Sequence, residues 1–530
     1  MGLFVWPFFC NIFGDNYCII KILFLKSHYL LSQFQNMENA VMLQYFHWYL
    51  PADGNLWNKL KVDAPDIAAK GIDAVWLPPA FKADAGKHSV GYDVYDLYDL
   101  GEFDQKGGIK TKYGSVQDYV DAVAAAQKAG LMVYADIVVN HLGGADEKEL
   151  VLARKVDPEN RNEFITEAYD IEAYTKFTFP GRKNKYSNFV WDHRCFSGTD
   201  YDDLKKETGI FSIINDAGED WEEMVDDEKG NYDYLMYADV EFRNPAVREE
   251  LKKWGKWYKE KVKFDGVRLD AVKHISPLFY NEWLDFMRAA FGEQFFAVGE
   301  YWAPGNLELM QKYIAATNGK ISLFDAALHH KFHVASEQGK DFDLATILDD
   351  SLVQANPLLA VTVVDNHDTQ PLQALEAPVA LWFKPLAYAL ILLRKDGYPC
   401  IFYPDIYGGQ YVDKGKDGND HEITLAVVPA LEKLLWLRKN KAWGEQRDYF
   451  DHGNCIGWLR EGNETTTGCA VLMSNSEAGS KDMLMGTRYA GKIFYDYLNK
   501  EAGQVTINEE GWGAFHCGPA SVAVWVTDQL

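Results

Sequence analysis

The stretch GVRLDAVKH, Gly266–His274, decides how the chain is read. It follows KWYKEKVKFD and alternates like a strand that feeds a core. Yet Arg268 and Asp270 stand two residues apart, on one face of that strand, with Lys273 and His274 just beyond. A buried charge is costly unless it is paired. A core strand carrying both signs on one face therefore points to chemistry.

Seven other short apolar runs read as strands: residues 41–46, 72–78, 131–139, 295–302, 321–328, 359–366 and 398–408. Between them, residues 115–129, 247–261, 277–290, 306–318 and 380–395 show 3.6-residue periodicity. Strands alternating with helices predict a parallel sheet with crossover helices, and eight strands are the number that closes a (β/α)8 TIM barrel. One gap breaks the rhythm. The residues between His141 and Arg248 are rich in Asp, Asn, Tyr and Gly and too numerous for a βα loop, so they read as a subdomain inserted after strand 3. Past residue 436 the pattern turns alternating and turn-rich, as in a C-terminal antiparallel β-sandwich. The expected divisions are 1–36, an N-terminal extension; 37–141 and 241–435, the two parts of the barrel; 142–240, the insert; and 436–530, the β domain.

Composition narrows the function. With 48% hydrophobic and 25% charged residues, the 530-residue chain reads as an ordinary globular protein. A formal charge of -25 argues against nucleic-acid or anionic-membrane partners. The seven cysteines form no CxxC pair and no metal-ligand spacing, which reads as a reduced, intracellular protein without a disulfide framework. The first 36 residues are apolar but interrupted by Asp15, Lys21 and Lys26, and lack the features of a signal peptide or a spanning helix. The expectation is a natural start at Met37, with a targeting segment, hence secretion, as the alternative.

Barrel enzymes build their sites at the C-terminal ends of the strands. Four such ends are charged here: DIVVNH (136–141), VRLDAVKH (267–274), VGEYW (298–302) and VVDNHD (363–368). A lone strand-end aspartate is usually a cap or a turn, but four charged ends around one mouth need a task. Asp270 and Glu300 make the carboxylate pair that glycosidic-bond cleavage requires, one ionised and one holding a proton. Arg268 would keep Asp270 charged and aimed.

These four motifs resemble the conserved regions of the α-amylase family of retaining glycoside hydrolases. The segments QYFHWYLPADG, VWLPPAFK, VGYDVYDLYDLGEF, GNYDYLMYAD and EEGWGAFH are similar to its liquefying-type bacterial members, and NHDTQPLQALEAPVALWFKPLAYALILLR to their cytoplasmic branch. The resemblance implies endo-hydrolysis of internal α-1,4-glucosidic bonds in starch, glycogen or maltodextrin with retention. It implies Asp270 as nucleophile, Glu300 as acid/base and Asp368 as the third carboxylate. Tyr92, His141, Arg268, Lys273, His274, Trp302 and His367 would contact the sugar. Asn140, Asp233, Asp239 and the His274 carbonyl would hold one structural Ca²⁺, a set of oxygen donors suited to that hard ion. Ser197, Glu222 and Glu241 stand where relatives that bind further metals carry aspartates, so one ion is expected. The resemblance further implies an α-glucan as the partner and a cytoplasmic location, and a monomer is expected. Alternatives are an α-1,6-glucosidase or 4-α-glucanotransferase of the same family, or a non-catalytic glucan-binding protein.

Overall fold

A computed structural model of the protein describes residues 39–529. The N-terminal extension expected over residues 1–36 lies outside the described residues. Eight strands close into a parallel barrel: β1 (Met42–Gln44), β2 (Ala74–Trp76), β3 (Met132–Ile137), β4 (Gly266–Leu269), β5 (Phe296–Gly299), β6 (Ser322–Phe324), β7 (Ala360–Val363) and β8 (Tyr398–Phe402). Each pairs with its neighbours in sequence, and β8 pairs with β1. A helix follows every strand: α1 (Leu56–Ala69), α2 (Val116–Lys128), α3 (Pro245–Val262), α4 (Pro277–Phe291), α5 (Leu307–Ala316), α6 (Ala326–Gln338), α7 (Lys384–Leu393) and α8 (Leu431–Asn440). The expected (β/α)8 barrel is the observed one. Its strands are almost wholly buried, as they must be when covered by helices outside and packed side chains within.

Local sequence explains the helices. In α3 the Asn244 side chain accepts from the Ala246 N–H (2.9 Å), and Pro245 occupies the first turn, where its missing N–H costs nothing. The helix buries Val247, Leu251, Trp254, Tyr258 and Val262, a stripe at three- and four-residue spacing, and ends at Lys263 in the left-handed region. Two apolar runs read too long as strands. In 321–328, β6 stops at Phe324 because the Asp325 carboxylate accepts the backbone N–H of Leu328 (3.0 Å), Leu352 (3.1 Å) and Val353 (2.7 Å), which starts α6. In 398–408, β8 stops at Phe402 and Tyr403–Tyr407 forms a helical turn. Both halves of each run are buried, so apolarity alone does not separate strand from helix.

Between β3 and α3 lies a six-stranded antiparallel sheet, in the order His141–Leu142, Ala238–Val240, Phe196–Asp202, Glu207–Ile213, Glu147–Lys155, Tyr169–Lys176. Its first and last strands in the chain pair with each other, so the insert leaves and rejoins the barrel side by side. After β8 a hairpin, Gly409–Lys414 with Asp420–Leu425, projects from the barrel with most of its residues half-buried or exposed. Helix α8 runs across the boundary expected at 435/436, and the first strand of the C-terminal sheet begins at Gln446. A six-stranded sheet and the pair Gly479–Leu484/Trp512–Cys517 enclose Leu459, Leu472, Met483, Phe494, Phe515 and Trp525. Among the described residues, no helix is long and apolar enough to cross a membrane.

Gly266, the first residue of β4, is held by close neighbours: a Cβ there would lie 2.8 Å from the Phe296 carbonyl oxygen and 2.9 Å from Tyr134 Cδ1. Gly266→Ala is expected to lower stability by about 1–3 kcal/mol through overpacking. Urea unfolding checks this as a lower midpoint at unchanged slope.

Candidate active site

The site starts from strand register. In the parallel pairing of β3 with β4, Arg268 stands opposite Asp136, so both side chains leave the sheet on the same face, into the barrel. Arg268 Nη1 donates to Asp136 Oδ1 at 2.9 Å and to Asp270 Oδ1 at 2.5 Å. Its Nη2 donates to Glu300 Oε2. Asp136 Oδ2 accepts from Trp76 Nε1 and from the Tyr92 hydroxyl, each at 3.0 Å. The guanidinium lies 5.0 Å from the Trp76 ring centroid and 5.7 Å from that of Tyr92, and Arg268 is 1% exposed.

Asp270 directly follows β4 and Glu300 directly follows β5. Ala271 then adopts φ +47°, a left-handed conformation unusual for a residue with a Cβ. Such strain persists where the surroundings enforce it. Here the turn brings the Ala271 N–H within 3.4 Å of Glu300 Oε2.

One guanidinium thus faces the carboxyl groups of Asp136, Asp270 and Glu300, which are buried, and of Asp368, which stays partly exposed. Burial raises Glu300; Arg268 pulls it back and Asp270 and Asp368 push it further, leaving it at about 8. Asp368 is raised to about 7 by burial, with Arg268 opposing and Asp270 and Asp136 adding. Asp136 reaches about 6 for the same reasons, burial first. Burial alone would lower Arg268, but Asp136, Glu300, Tyr92 and Asp270 outweigh it and raise its pKa. The site therefore keeps a cation at its centre and a proton on a carboxyl group at neutral pH.

Around this centre stand the aromatic and histidine residues. Tyr92 stacks on His367 (5.2 Å, 16°) and on Trp48 (5.8 Å, 3°). His141 Nε2 bonds the Tyr92 carbonyl at 2.7 Å, and His367 Nε2 lies 3.3 Å from Asp368 Oδ2. Burial lowers both imidazoles, so both are neutral at neutral pH. Lys273 and His274 turn instead to the insert: Lys273 pairs with Glu228 (2.5 Å) and Asp226 (3.2 Å), while His274 Nδ1 bonds the Tyr232 carbonyl (2.7 Å). Trp302 packs on His329 (5.4 Å) and stays partly exposed. At the other side, Tyr411 of the hairpin stacks on Tyr49 (3.8 Å) and donates to the Pro371 carbonyl (2.6 Å).

The residues expected to hold a metal lie where the insert meets the ends of β3 and β4. Asn140 Nδ2 donates to Asp239 Oδ1 at 3.2 Å, while Asn140 Oδ1 is buried without a protein partner. Asp233 is raised well above the usual carboxylate range, by burial first and then by Asp239, Glu222 and Glu241. Asp239 is raised likewise, by burial, with Ser197 opposing (its hydroxyl donates at 2.6 Å) and Glu241 adding. These are oxygen atoms of the kind a hard cation takes, although among the described residues no three His, Cys, Asp or Glu side chains gather into a group that could hold a metal.

Three residues with a place in this geometry had no role assigned from sequence: Asp136, Trp76 and Trp48. Asp136 is the lone charged residue of the run LMVYADIVV, which was the available signal. Trp76 and Trp48 look like core aromatics, and no spacing sets them apart.

Comparison with known proteins agrees with this architecture. The family model described as "Alpha amylase, catalytic domain" matches residues 65–460, and "Alpha-amylase C-terminal" matches residues 470–526. The chain is 47% identical over 495 residues to the cytoplasmic alpha-amylase of Escherichia coli (strain K12), covering 93% of this chain and 100% of that protein. It is 48% identical over 494 residues to an alpha-amylase of Geobacillus stearothermophilus, covering 92% of this chain and 87% of that protein. The crystal structure of an alpha-amylase from Geobacillus thermoleovorans complexed with acarbose superposes with a TM-score of 0.61 at 18% identity, over 92% of this chain and 98% of that one, a likeness of fold.

Arg268→Met is expected to destabilise the protein by about 3–5 kcal/mol, since it leaves buried carboxylates without their cation. The loss has a pH signature. Glu300 titrates above its unfolded value of 4.5, and without Arg268 it moves higher still. A carboxyl group raised in this way contributes fully below about 4.5 and loses that contribution as pH rises through the folded value. Urea melts of variant and wild type at pH 5 and pH 8 should therefore differ more at pH 8.

Proposed function

The chain belongs to the α-amylase family of glycoside hydrolases, and we propose that its barrel mouth cuts internal α-1,4-glucosidic bonds of starch, glycogen or maltodextrin with retention of configuration. The observation that carries the assignment of roles is the single guanidinium shared by Asp270 and Glu300. It aims one carboxylate from the end of β4 while the other, at the end of β5, keeps its proton to about pH 8. In the first step Asp270 attacks the anomeric carbon as Glu300 protonates the leaving oxygen. Water then enters, Glu300 takes its proton, and the glycosyl–Asp270 bond breaks with a second inversion. Tyr92 lies flat as a platform for the reacting sugar. His141, His367 and Asp368 offer hydrogen bonds to its hydroxyls, and the neutral imidazoles add no charge beside the developing oxocarbenium centre. Lys273, His274 and Trp302 line the approach, where the insert and the loop after β5 meet the barrel.

Asn140 Oδ1, Asp233, Asp239 and the His274 carbonyl would hold one Ca²⁺ beside this site. Such an ion would offset the charge of the acidic cluster where the insert meets the strand ends. The protein residues alone perform the steps above. The same reading assigns the enzyme to the cytoplasm, where the name of the Escherichia coli relative puts that protein, and takes it as a monomer.

Maltoheptaose blocked at its non-reducing end, followed by NMR, tests the reaction: early α-anomeric products from internal cuts are expected. Early β-anomers would overturn retention, and lengthened oligosaccharides would favour transfer over hydrolysis. Glu300→Gln should lower kcat by about 10²–10⁴-fold while sparing glucan binding, as loss of a general acid does. Because Glu300 must be protonated to donate, kcat/KM should hold to about pH 7 and fall roughly tenfold per unit above about pH 8. Elemental analysis should find one Ca²⁺ per chain. Chelation should lower the thermal midpoint, and one equivalent of Ca²⁺ should restore it.

A further inference from the structure

The C-terminal domain holds a feature that the mouth does not use. Cys455 opens a strand of the six-stranded sheet, and Cys517 closes a strand of the two-stranded sheet packed on it. Both belong to the buried cluster between the sheets. Gly479 stands opposite Cys517 in register, and a Cβ at Gly479 would lie 2.4 Å from Cys455 Sγ and 3.7 Å from Cys517 Sγ. Cys455 Sγ thus occupies the space that a side chain at Gly479 would take, with Cys517 Sγ in contact range beside it. Cys455 also lines a cavity of about 390 Å³ together with His452, Glu477 and Lys481.

The other described cysteines differ. Cys195, Cys400 and Cys469 are buried, and burial pushes each thiol up to about 12. Cys455 alone is lowered, by its neighbour Cys517 first and then by Lys481, against burial and Asp451, while Cys517 is raised in turn by Cys455 and by burial. Thiolate character and access to the oxidant decide which cysteine reacts.

We propose that Cys455 and Cys517 form a peroxide-reactive dithiol that closes to a disulfide joining the two sheets of the C-terminal domain. In the first step the Cys455 thiolate attacks one oxygen of hydrogen peroxide. The O–O bond breaks, hydroxide leaves, and Cys455 becomes a sulfenic acid. Cys517 then attacks the sulfenic sulfur: the S–S bond forms, the S–O bond breaks, and the oxygen departs as water with the Cys517 proton. Two thiols are oxidised and one peroxide is reduced. Gly479 is the positioning residue, because any side chain there would displace the Cys455 sulfur.

The test is a peptide map of the full chain after graded hydrogen peroxide, with each cysteine quantified. The expected result is a mass loss of two hydrogens, a linked peptide pair carrying Cys455 and Cys517, and reversal by dithiothreitol. In Cys517→Ser, Cys455 should instead be captured by dimedone as sulfenic acid, and Gly479→Ala should slow formation of the linked pair. Oxidation of Cys455 to sulfinic acid without linkage to Cys517 would overturn the proposal. So would oxidation of Cys455 no faster than that of Cys195, Cys400 and Cys469. The wild-type map decides the matter even if a variant fails to fold.

Discussion

A single buried arginine sets the terms for the rest of the molecule. Arg268 is the buried cation among four carboxyl groups, and each hydrogen bond it makes fixes a different part of the barrel. The bond to Asp136 fixes β4 against β3, and the bond to Glu300 fixes the end of β5. A shift of one residue between these strands would turn Arg268 out of the barrel and leave the acids unneutralised. Fold and acid–base balance therefore impose the same register. The aromatic packing follows, since Trp76 and Tyr92 complete the bonding of Asp136 that Arg268 begins.

A second ionic arrangement supports the far side of the mouth. Lys384, on α7, pairs with Asp365 and Asp405 at 2.6 Å each, and Tyr388 donates to Asp405. Asp365 lies at the start of the turn that carries His367 and Asp368, so this buried cation stiffens the ends of β7 and β8. Here one cation meets two carboxyl groups, against one to four at the centre. The central site thus holds carboxyl groups in excess of its cation, and keeps a proton among them.

Some of this is legible in the sequence, and the limits have physical causes. The strands and their charged ends can be read because a strand must place residues two apart on one face, which singles out Arg268 and Asp270. The role of Asp136 cannot be read, because its partner lies 132 residues away and only the register joins them. The strands of the insert are hidden by composition: in Glu147–Lys155 only Val151 and Ala153 are fully buried, too few to show an alternation. Helix α6 is not among the helices legible in the sequence, and its start is hidden because Asp325 ends a strand and caps a helix within an unbroken apolar run. The cysteine pair is invisible for the opposite reason, since what brings the sulfurs together is a glycine, and the absence of a side chain leaves no pattern.

The segment Asp136–His141 carries three duties within six residues. Asp136 belongs to the ionic centre, Asn140 to the acidic cluster under the insert, and His141 to both the mouth and the first strand of the insert. A substitution there disturbs all three at once, so this peptide has little freedom to drift. The hairpin Gly409–Leu425 stands at the other extreme, docked through Tyr411 and Tyr49 and otherwise facing solvent. Descendants of this chain that come to accept longer, shorter or branched glucans have room to change in that hairpin, while the strand ends stay as they are. The architecture divides inheritance unevenly: one rim of the mouth is free to diversify because the other is overcommitted.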